Sequence, residues 1–242
     1  MAKQAAHGTR IYLDGYDLSG YLTATDLGVE QETPVVTCFG DAGPRAVVGN
    51  YGVAVSASGL FDGAAGRIDE IIDALRGNDS DHYLTQLFGG TVAGSISYDS
   101  IARMASEPRK ADIGGAVMLD FSLAGSGGMA RGMVLANKTS TGAENIAGVN
   151  QGVTTAGQVY AVTFRLLAFT GTSVTMKLQE SQNDGAPDTY ADIAGLTSGA
   201  LSALGAVRVT TAAASEAWKR VVLSGTYSSA LILVTAGVVA GT

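Results

Sequence analysis

Alternation of apolar and polar residues, the pattern of a β-strand with one buried face, recurs along most of the chain. At residues 51–60, for example, Val53, Val55 and Ala57 fall on one face. The other segments with this pattern are 9–13, 21–30, 94–98, 101–105, 116–123, 129–135, 159–169, 173–179, 206–211, 217–224 and 229–239. Many short strands joined by glycine-rich turns predict a mainly β fold of the β-sandwich or jelly-roll type.

One segment has the helical period instead. Asp62 is a suitable N-cap and Gly77 a suitable stop for a helix between them. The apolar residues of that interval follow the spacing i, i+3, i+4 and i+7 and are Ile68, Ile71, Ile72 and Leu75. The pattern predicts a helix over about residues 64–76 whose apolar stripe packs against a sheet. Residues 82–88 fit either a helical turn or a strand.

Residues 31–52 interrupt the strand pattern with a stretch rich in glycine and proline. Two short β-branched runs, at 35–37 and 46–48, flank a tip at 40–44. This arrangement predicts a hairpin or long loop that projects from the body of the protein.

The strand pattern also divides into two β-rich parts. Residues 136–157 are rich in Asn, Thr, Gly and Ala and have almost no large apolar side chain, which is typical of a linker. They separate a first part at 9–135 from a second part at 158–242. Residues 1–8 are too small and polar to fold alone, so we expect them to form a flexible N-terminal arm.

Charge is distributed unevenly between these parts. The 242 residues include 15 basic and 22 acidic ones, which gives a formal charge of −7. Residues 1–133 hold 16 of the acids and 9 of the bases, whereas residues 134–242 hold six of each. A chain this acidic is not suited to gripping nucleic acid through its phosphates.

Residues that could carry catalysis or hold a metal are few. The chain has one cysteine, Cys38, and two histidines, His7 and His82. These are too few for a zinc site or a disulfide scaffold within one chain. We interpret His82 as a surface residue beside a turn, and the sequence has neither a nucleophile elbow nor a phosphate-binding loop. We therefore expect no enzymatic activity, no metal and no cofactor.

Two weaker signals point to other ligands. Asp184, Asp188 and Asp192 could hold calcium around a turn, although their spacing does not match the twelve-residue calcium loop. Whether two carboxylates stand at the separation that a glycosidase needs is decided by the fold. The single tryptophan, Trp218, is expected to pack in a core or an interface.

The terminal segments bear on location. Residues 1–8 lack the apolar region of a secretory signal, so we expect synthesis in a cytoplasm. Residues 230–240 are the most apolar stretch but are well short of the ~20 residues that a membrane helix needs. They are predicted to form a buried final strand, and we expect no membrane insertion.

The order of several motifs resembles the major tail tube proteins of long-tailed, siphovirus-type bacteriophages. In the first part, the motifs that carry the resemblance are residues 14–22, 37–41, 53–62, 113–117 and 131–135. In the second part, residues 169–181 and 218–226 are similar to the C-terminal half of tube proteins from the same broad group. The resemblance rests on the order and spacing of these motifs.

The resemblance implies a β-sandwich with one flanking helix whose subunits form six-membered rings. The inner sheets would join into a continuous β-barrel, and the rings would stack into a hollow tube through which genomic DNA passes during ejection. The second part would either complete the tube wall or decorate its exterior. The implied location is the virion tail, and the implied partners are copies of the chain and the tape measure, tail terminator and distal tail proteins.

The charge of the first part fits such a bore. DNA carries about one negative charge per 1.7 Å of helix axis, so a basic wall would hold it and an acidic wall would let it slide. We expect Asp26, Glu30 and Glu32 to line the lumen. The alternative is that each of these acids only makes an outer surface soluble.

The segment at 31–52 is the expected contact with an adjacent subunit or ring. Its candidate contact residues are Phe39, Asp41, Arg45, Val47 and Val48. Pairing of sheet edges within a ring would also protect those edges from aggregation.

Two other classes of protein stay open at this point. One is a carbohydrate-binding or decoration β-sandwich on a virion surface, which would show exposed aromatic platforms. The other is a glycosidase, for which the sequence shows no residue constellation.

Overall fold

The computed structural model describes residues 8–40, 42–47, 49, 51–113 and 115–240. These residues form one short helix, α1 (Ile68–Asp73), and fourteen strands. The first eight strands are β1 (Arg10–Leu13), β2 (Tyr16–Asp17), β3 (Leu22–Gln31), β4 (Tyr51–Leu60), β5 (His82–Leu87), β6 (Ile96–Ser106), β7 (Arg109–Lys110) and β8 (Met118–Ser140). The others are β9 (Glu144–Asn145), β10 (Val149–Asn150), β11 (Tyr160–Ser181), β12 (Ala191–Leu201), β13 (Gly205–Thr211) and β14 (Trp218–Val239). The prediction of a mainly β fold with one helix is confirmed.

Helix α1 is shorter than the predicted interval 64–76. Gly66 has a φ of +71°, so the backbone turns just before the helix begins. Asp62 accepts a hydrogen bond from the Ala64 amide in that loop and does not cap α1. The predicted stripe does face a core, since Ile68 and Ile72 are fully buried. At six residues α1 is too short to span a membrane, and no other part of the described chain offers a helical span.

The first part is an antiparallel sheet with the strand order β3-β4-β8-β6-β5-β1-β2. Residues 82–88, for which a helical turn was the alternative, contribute strand β5. One face of the sheet and helix α1 enclose an apolar core of Ile11, Leu13, Leu18, Val55, Ala57, Ile68, Ile72, Leu75, Leu84, Ala102, Leu119, Phe121 and Leu123.

The second part is built on the long antiparallel pair of strands β11 and β14. The register of this strand pair shifts around Gly171, which stands opposite Tyr227. Residues on both sides of this point pack into one core, so the pair of strands folds over into two layers. Strands β12 and β13 extend these layers by pairing with β11. The core includes Tyr160, Val162, Phe164, Leu166, Val174, Met176, Leu178, Ile193, Leu196, Val221, Leu223, Ile232 and Val234.

The two parts share one continuous sheet, because residues 130–140 of β8 pair with residues 230–239 of β14. The predicted linker at 136–157 therefore begins inside a strand, and Ala136 is buried. Further along that segment, β9 and β10 also pair with β14. These strands lie at the margin of the second core and therefore consist of small and polar residues, which in the sequence look like a loop.

A layer of buried polar residues lies between the two apolar cores. The Asp99 carboxylate accepts hydrogen bonds from Thr85, Ser97 and Thr235, the last over 2.7 Å. Arg165, which is fully buried, places Nη1 3.7 Å from Asp99 Oδ1 and donates from Nη2 to the Tyr83 carbonyl over 2.9 Å. The two parts are thus joined through charge and hydrogen bonds as well as through the shared sheet.

Lys219 is a second buried cation, and it lies at the edge of the second core. Its side chain is fully buried, and Nζ has no hydrogen-bond partner among the described residues. The ring centroid of Tyr160 lies 6.0 Å from Nζ. Burial lowers the pKa of Lys219, and the nearby Glu180 and Glu216 only partly oppose this effect. An unpaired buried amine destabilises the folded state.

Replacing Lys219 by methionine tests how much the buried amine destabilises the folded state. Lys219→Met keeps the unbranched chain and removes the charge, so we expect the free energy of unfolding to rise by ~1–3 kcal/mol and Tm by about 2–12 °C. Thermal unfolding followed by circular dichroism measures both. Lys177→Met is the matched control, because Lys177 is exposed and donates to Asp192 over 2.8 Å, and it should bring no gain.

The advantage of Lys219→Met should depend on pH. Because the folded-state pKa of Lys219 lies below its ordinary value of 10.5, the unfolded chain binds more protons than the folded chain between the two values. The free energy of unfolding of the native protein therefore rises with pH through that window, and its difference from the free energy of unfolding of Lys219→Met becomes smaller. A difference that stays constant between about pH 7 and pH 10 would contradict this account.

The fold of the β11–β14 strand pair requires glycine at position 225. Gly225 has a φ of +123°, and a Cβ there would come within 2.3 Å of the Ser173 carbonyl oxygen. We expect Gly225→Ala to lose about 2 kcal/mol or more, measured by urea unfolding. Gly142→Ala is the control, since nothing lies within 4 Å of the added methyl, and a similar loss in both variants would show that the bend is not the cause.

Candidate functional site

Strands β3, β4 and β8 present one face to the first core and the other to solvent. In register, Leu27 stands beside Val55, and Val55 stands beside Leu123, and these three side chains face the core. The neighbouring row of Gly28, Ala54 and Ala124 points the opposite way, because successive side chains alternate across a strand. We call this solvent side of the three strands the outward face.

The outward face is made mostly of very small residues. Its members on β3, β4 and β8 are Ala24, Gly28, Gly52, Ala54, Ser56, Ser58, Ser122 and Ala124. Such residues leave the backbone close to the surface over most of the face, and the longer apolar side chains Leu60 and Met118 stand opposite each other at its end.

Three carboxylates interrupt this surface. Asp26 and Glu30 are exposed on β3, and the strand rise places them about 13 Å apart along it. Asp120 pairs with Ser58 on β8 and lies on the same face. Asp120 was missed by sequence reasoning, although its position between the core-facing Leu119 and Phe121 gives the period-two signal.

Glu32 is the third predicted lumen residue, and its place in a lumen stays a prediction. It follows β3 at the base of the segment 31–52, where its carbonyl oxygen accepts from the Gly49 amide over 2.7 Å. Its side chain is exposed. The structure therefore places two of the three predicted acids, Asp26 and Glu30, on one surface.

Two basic side chains lie on or beside the outward face: Lys110 on β7, which stands opposite Met118 and lies 3.7 Å from Asp112, and Arg103 on β6. Strands β3 and β4 contain no basic residue. The neighbouring cation on β6, Arg103, is opposite Ala124 and contacts Asp79 and Asp81, with its Nη2 3.2 Å from Asp81 Oδ1. The net charge of this region is therefore negative.

The segment 31–52 continues the β3–β4 ladder away from the sheet as a hairpin. The Val47 amide donates to the Pro34 carbonyl over 3.1 Å, and the Val36 amide donates to the Arg45 carbonyl over 2.8 Å. The Phe39 side chain near the tip is completely exposed, at 114% of its reference area.

The other described residues between 31 and 47 are also exposed to solvent. Arg45 and Val47, both predicted contact residues, are exposed, whereas Asp41 and Val48 lie outside the described residues. The apolar hairpin residues Val35 and Val36 are also exposed. The role of this segment as a projecting contact with a neighbour stays a prediction.

A second exposed apolar group lies where β4 ends and β8 begins. Leu60 ends β4, whereas Ile113 and Val117 lie in the loop before β8, and all three are exposed, Ile113 at 109% of its reference area. The Phe61 amide donates to the Val117 carbonyl over 3.0 Å, which holds the loop before β8 against the end of β4. We call these three residues the end patch. Sequence reasoning did not predict it, because exposed single apolar residues in a loop carry no periodic signal.

The candidates for metal binding and catalysis do not form a site. Asp184, Asp188 and Asp192 accept from Tyr190, from the Gln182 amide and from Lys177, respectively, and within the described ranges no group of acids, histidines or cysteines could hold a metal ion. His82 Nδ1 is 2.7 Å from Asp14 Oδ2, in a pair that also receives the Tyr83 amide.

An aromatic platform for a sugar is also not evident in the described part of the chain. The exposed large aromatic side chains there are Tyr16 and Phe39, which lie on different elements. Trp218 is half-buried at the start of β14, and Tyr190 lies under Arg220, whose guanidinium carbon is 4.1 Å from the ring centroid.

Comparisons with known proteins give structural matches only. No protein-family model matches the chain, and the search of curated proteins gives no match. A chain of the virion of a native gene transfer agent particle aligns at 17% identity and a TM-score of 0.45, over 53% of this chain and 98% of its own length. The SPP1 tail tube aligns at 12% identity and a TM-score of 0.45, over 53% of this chain and 78% of its own.

The SPP1 Dit protein aligns over more of the chain but less closely. It covers 95% of this chain and 98% of its own, at 15% identity and a TM-score of 0.35. This chain is thus similar in structure to parts of a phage tail and of a gene transfer agent, at values too low to assign its role.

Proposed function

We propose that the chain is a structural subunit of a phage tail tube, which assembles with its own copies into stacked six-membered rings around an acidic bore for DNA. The observation that carries the proposal is the outward face: a sheet surface mostly of Gly, Ala and Ser that carries Asp26, Glu30 and Asp120, while the neighbouring cations Arg103 and Lys110 lie close to Asp81 and Asp112. The sequence resemblance to tail tube proteins supports the same assignment.

The chemistry of the outward face suits the passage of DNA. Each Lys or Arg that neutralises a phosphate releases counterions and strengthens binding, so a wall without them does not retain the polymer. Exposed carboxylates repel phosphates over about 8–10 Å at physiological salt. Small side chains offer no base or sugar a cleft to enter.

An open sheet edge supports assembly with a neighbour. Strand β3 pairs with β4 on one side and has no strand on its other side among the described residues. Its ten residues offer a row of backbone donors and acceptors, which is an aggregation hazard in a monomer. Pairing of β3 with the far end of the next copy's sheet would cover this edge and continue the outward face around a ring.

The second part has its own apolar core, which supports the predicted division of the chain at 9–135 and 158–242. In the proposed tube it either completes the wall or decorates the exterior. The tape measure, tail terminator and distal tail proteins are the proposed neighbours within the virion tail, and DNA is a transient, non-specific one.

Charge reversal on the outward face tests the bore. In the double variant Asp26→Lys with Glu30→Lys, assembled tubes should bind short duplex DNA on the order of 100-fold more tightly at low salt, because each copy adds two phosphate contacts. The bound DNA should resist nuclease, since it lies inside the tube. Co-sedimentation with labelled DNA, before and after nuclease treatment, measures both effects.

The matched control for charge reversal is Asp79→Lys with Asp112→Lys, which changes the net charge equally on acids outside the outward face. DNA bound to the control tubes should be digested. Equal protection in both variants would show that the outward face is not the lumen, and absence of rings or tubes in negative-stain images of the native protein would overturn the proposed function itself.

Removal of the hairpin tests its part in assembly. Deleting residues 36–47 takes away described residues that are all exposed, so we expect the subunit to fold with a nearly unchanged Tm but to stay monomeric. Circular dichroism and size-exclusion chromatography measure these two properties. Full-length tubes in electron micrographs of the deletion variant would be the opposite result.

A further inference from the structure

Strands β11 and β14 carry a connected set of polar side chains on their solvent side. Along β11, Lys177 and Gln179 alternate with buried residues of the second core, so their side chains point away from that core. Arg220 of β14 stands opposite Gln179 and shares this side. Asp192 and Tyr190 border the two strands and contact these residues. We call these five residues the polar face.

Hydrogen bonds hold the polar face in one arrangement. Lys177 Nζ and Gln179 Nε2 donate to the two oxygens of the Asp192 carboxylate, over 2.8 and 2.7 Å. Both bonds lower the pKa of Asp192, which is therefore ionised at neutral pH. Gln179 Oε1 in turn accepts from Arg220 Nε over 2.8 Å. The Gln179 amide is thus oriented by Asp192 and itself orients Arg220.

The Arg220 guanidinium is also held by an aromatic ring. Its central carbon lies 4.1 Å from the centroid of the Tyr190 ring. The Tyr190 hydroxyl donates to Asp184 Oδ1 over 2.7 Å, which holds the ring in place. Because a guanidinium stacked on a ring and bonded at Nε is already ordered, a ligand that binds it pays little further conformational entropy.

The far end of this guanidinium can bind an anion. Among the described residues no carboxylate forms a salt bridge with Arg220, and Nη1 and Nη2 have no hydrogen-bond partner there and are not buried. Arg76, Arg103 and Arg109, in contrast, each contact at least one acid. Two N–H groups side by side match the two oxygens of a carboxylate. Arg220 therefore presents an oriented carboxylate-binding group.

We propose that Arg220 binds the carboxylates of an acidic polysaccharide, a polymer whose sugar rings carry uronic-acid groups. The neighbouring side chains of the polar face include both hydrogen-bond donors and acceptors, which suit sugar hydroxyls. The contact is polar and needs no exposed aromatic ring. The inference rests on the proposed function, because a tube with the second part on its exterior presents the site many times.

The position of the polar face within its sheet disfavours an acidic peptide. Extended peptides bind by adding a strand to a sheet edge. Strand β11 lies between β12 and β14, and β14 also pairs with β9 and β10. The polar face is therefore inside the sheet and not at its edge.

The charge of the second part disfavours nucleic acid. Residues 134–242 hold six acids and six bases, so they offer no excess of positive charge to a row of phosphates. Asp184 and Asp192 also bind Tyr190 and Gln179, the two partners of Arg220. A polymer with widely spaced carboxylates fits this neutral surface better than a dense polyphosphate.

Repetition of the site along a tube strengthens binding. One exposed ion pair is weak. A long polysaccharide can contact several copies of one tube, and each further contact is then intramolecular. We therefore expect tubes to bind the polymer tightly and a single copy to bind a single uronic acid only weakly.

Binding of tubes to immobilised polygalacturonate, measured by biolayer interferometry, tests the site. Arg220→Lys keeps the positive charge but loses the planar pair of N–H groups, so we expect at least ~10-fold weaker binding at an unchanged Tm. Arg220→Gln should weaken binding at least as much. Arg131→Gln is the matched control, because Arg131 is an exposed arginine of β8 outside the polar face, and it should bind like the native protein.

Other polymers identify the ligand class. Dextran, a neutral polysaccharide, should not bind, and poly-glutamate and duplex DNA should bind less tightly than polygalacturonate. Equal binding of poly-glutamate or of DNA would overturn the assignment to a polysaccharide, and native affinity in Arg220→Lys would overturn the role of Arg220. Tubes that form but do not bind polygalacturonate would overturn this inference and leave the tube proposal intact.

A measurement on single copies tests the site independently of tubes. Galacturonate, titrated to high millimolar concentration, should shift the NMR signals of the Arg220 Nε–H group and of the Tyr190 ring, whereas glucose should not. Signals that galacturonate leaves unmoved would contradict the site. Absence of tubes in electron micrographs would instead refute the proposed function.

Discussion

The pairing of β8 with β14 is the constraint on which the rest of the structure depends. Each of these strands exceeds twenty residues and serves two layers: β8 carries the outward face at 118–124 and joins β14 at 130–140, while β14 supports the second core. Because the two cores share this ladder, neither part has a free edge at the junction. The buried Asp99–Arg165 pair adds a geometric requirement to that junction, since a charge left without its partner there is costly.

This arrangement leaves the free surfaces of the first part at defined places. Strand β3 stays at an edge, the outward face stays uncovered, and the hairpin and the end patch extend from opposite ends of β4. An unpaired strand edge, an exposed apolar tip and a face with several carboxylates differ in what they can bind, because the first offers backbone hydrogen bonds, the second apolar area and the third negative charge.

Much of the fold was readable from alternation along the chain. The face of Val53, Val55 and Ala57, the buried stripe of Ile68 and Ile72, and the projecting hairpin all appeared in the pattern. The predicted linker at 136–157 did not behave as one, because small residues at a core margin look like a loop while the pairing with β14 makes them strands. The sequence favours Asp62 as the N-cap, but the backbone turns at Gly66 and the helix begins only at Ile68, too far along the chain for the Asp62 side chain to cap it.

By itself the sequence determined the strand class, the position of the single helix and the excess of acids in the first part, because these follow from local periodicity and composition. Only the tertiary structure decided that Asp26, Glu30 and Asp120 share one face, and that the loop before β8 lies against the end of β4. Register between strands far apart in sequence sets these groupings. A pattern within one strand states which residues alternate, and only the neighbouring strand fixes which residues meet.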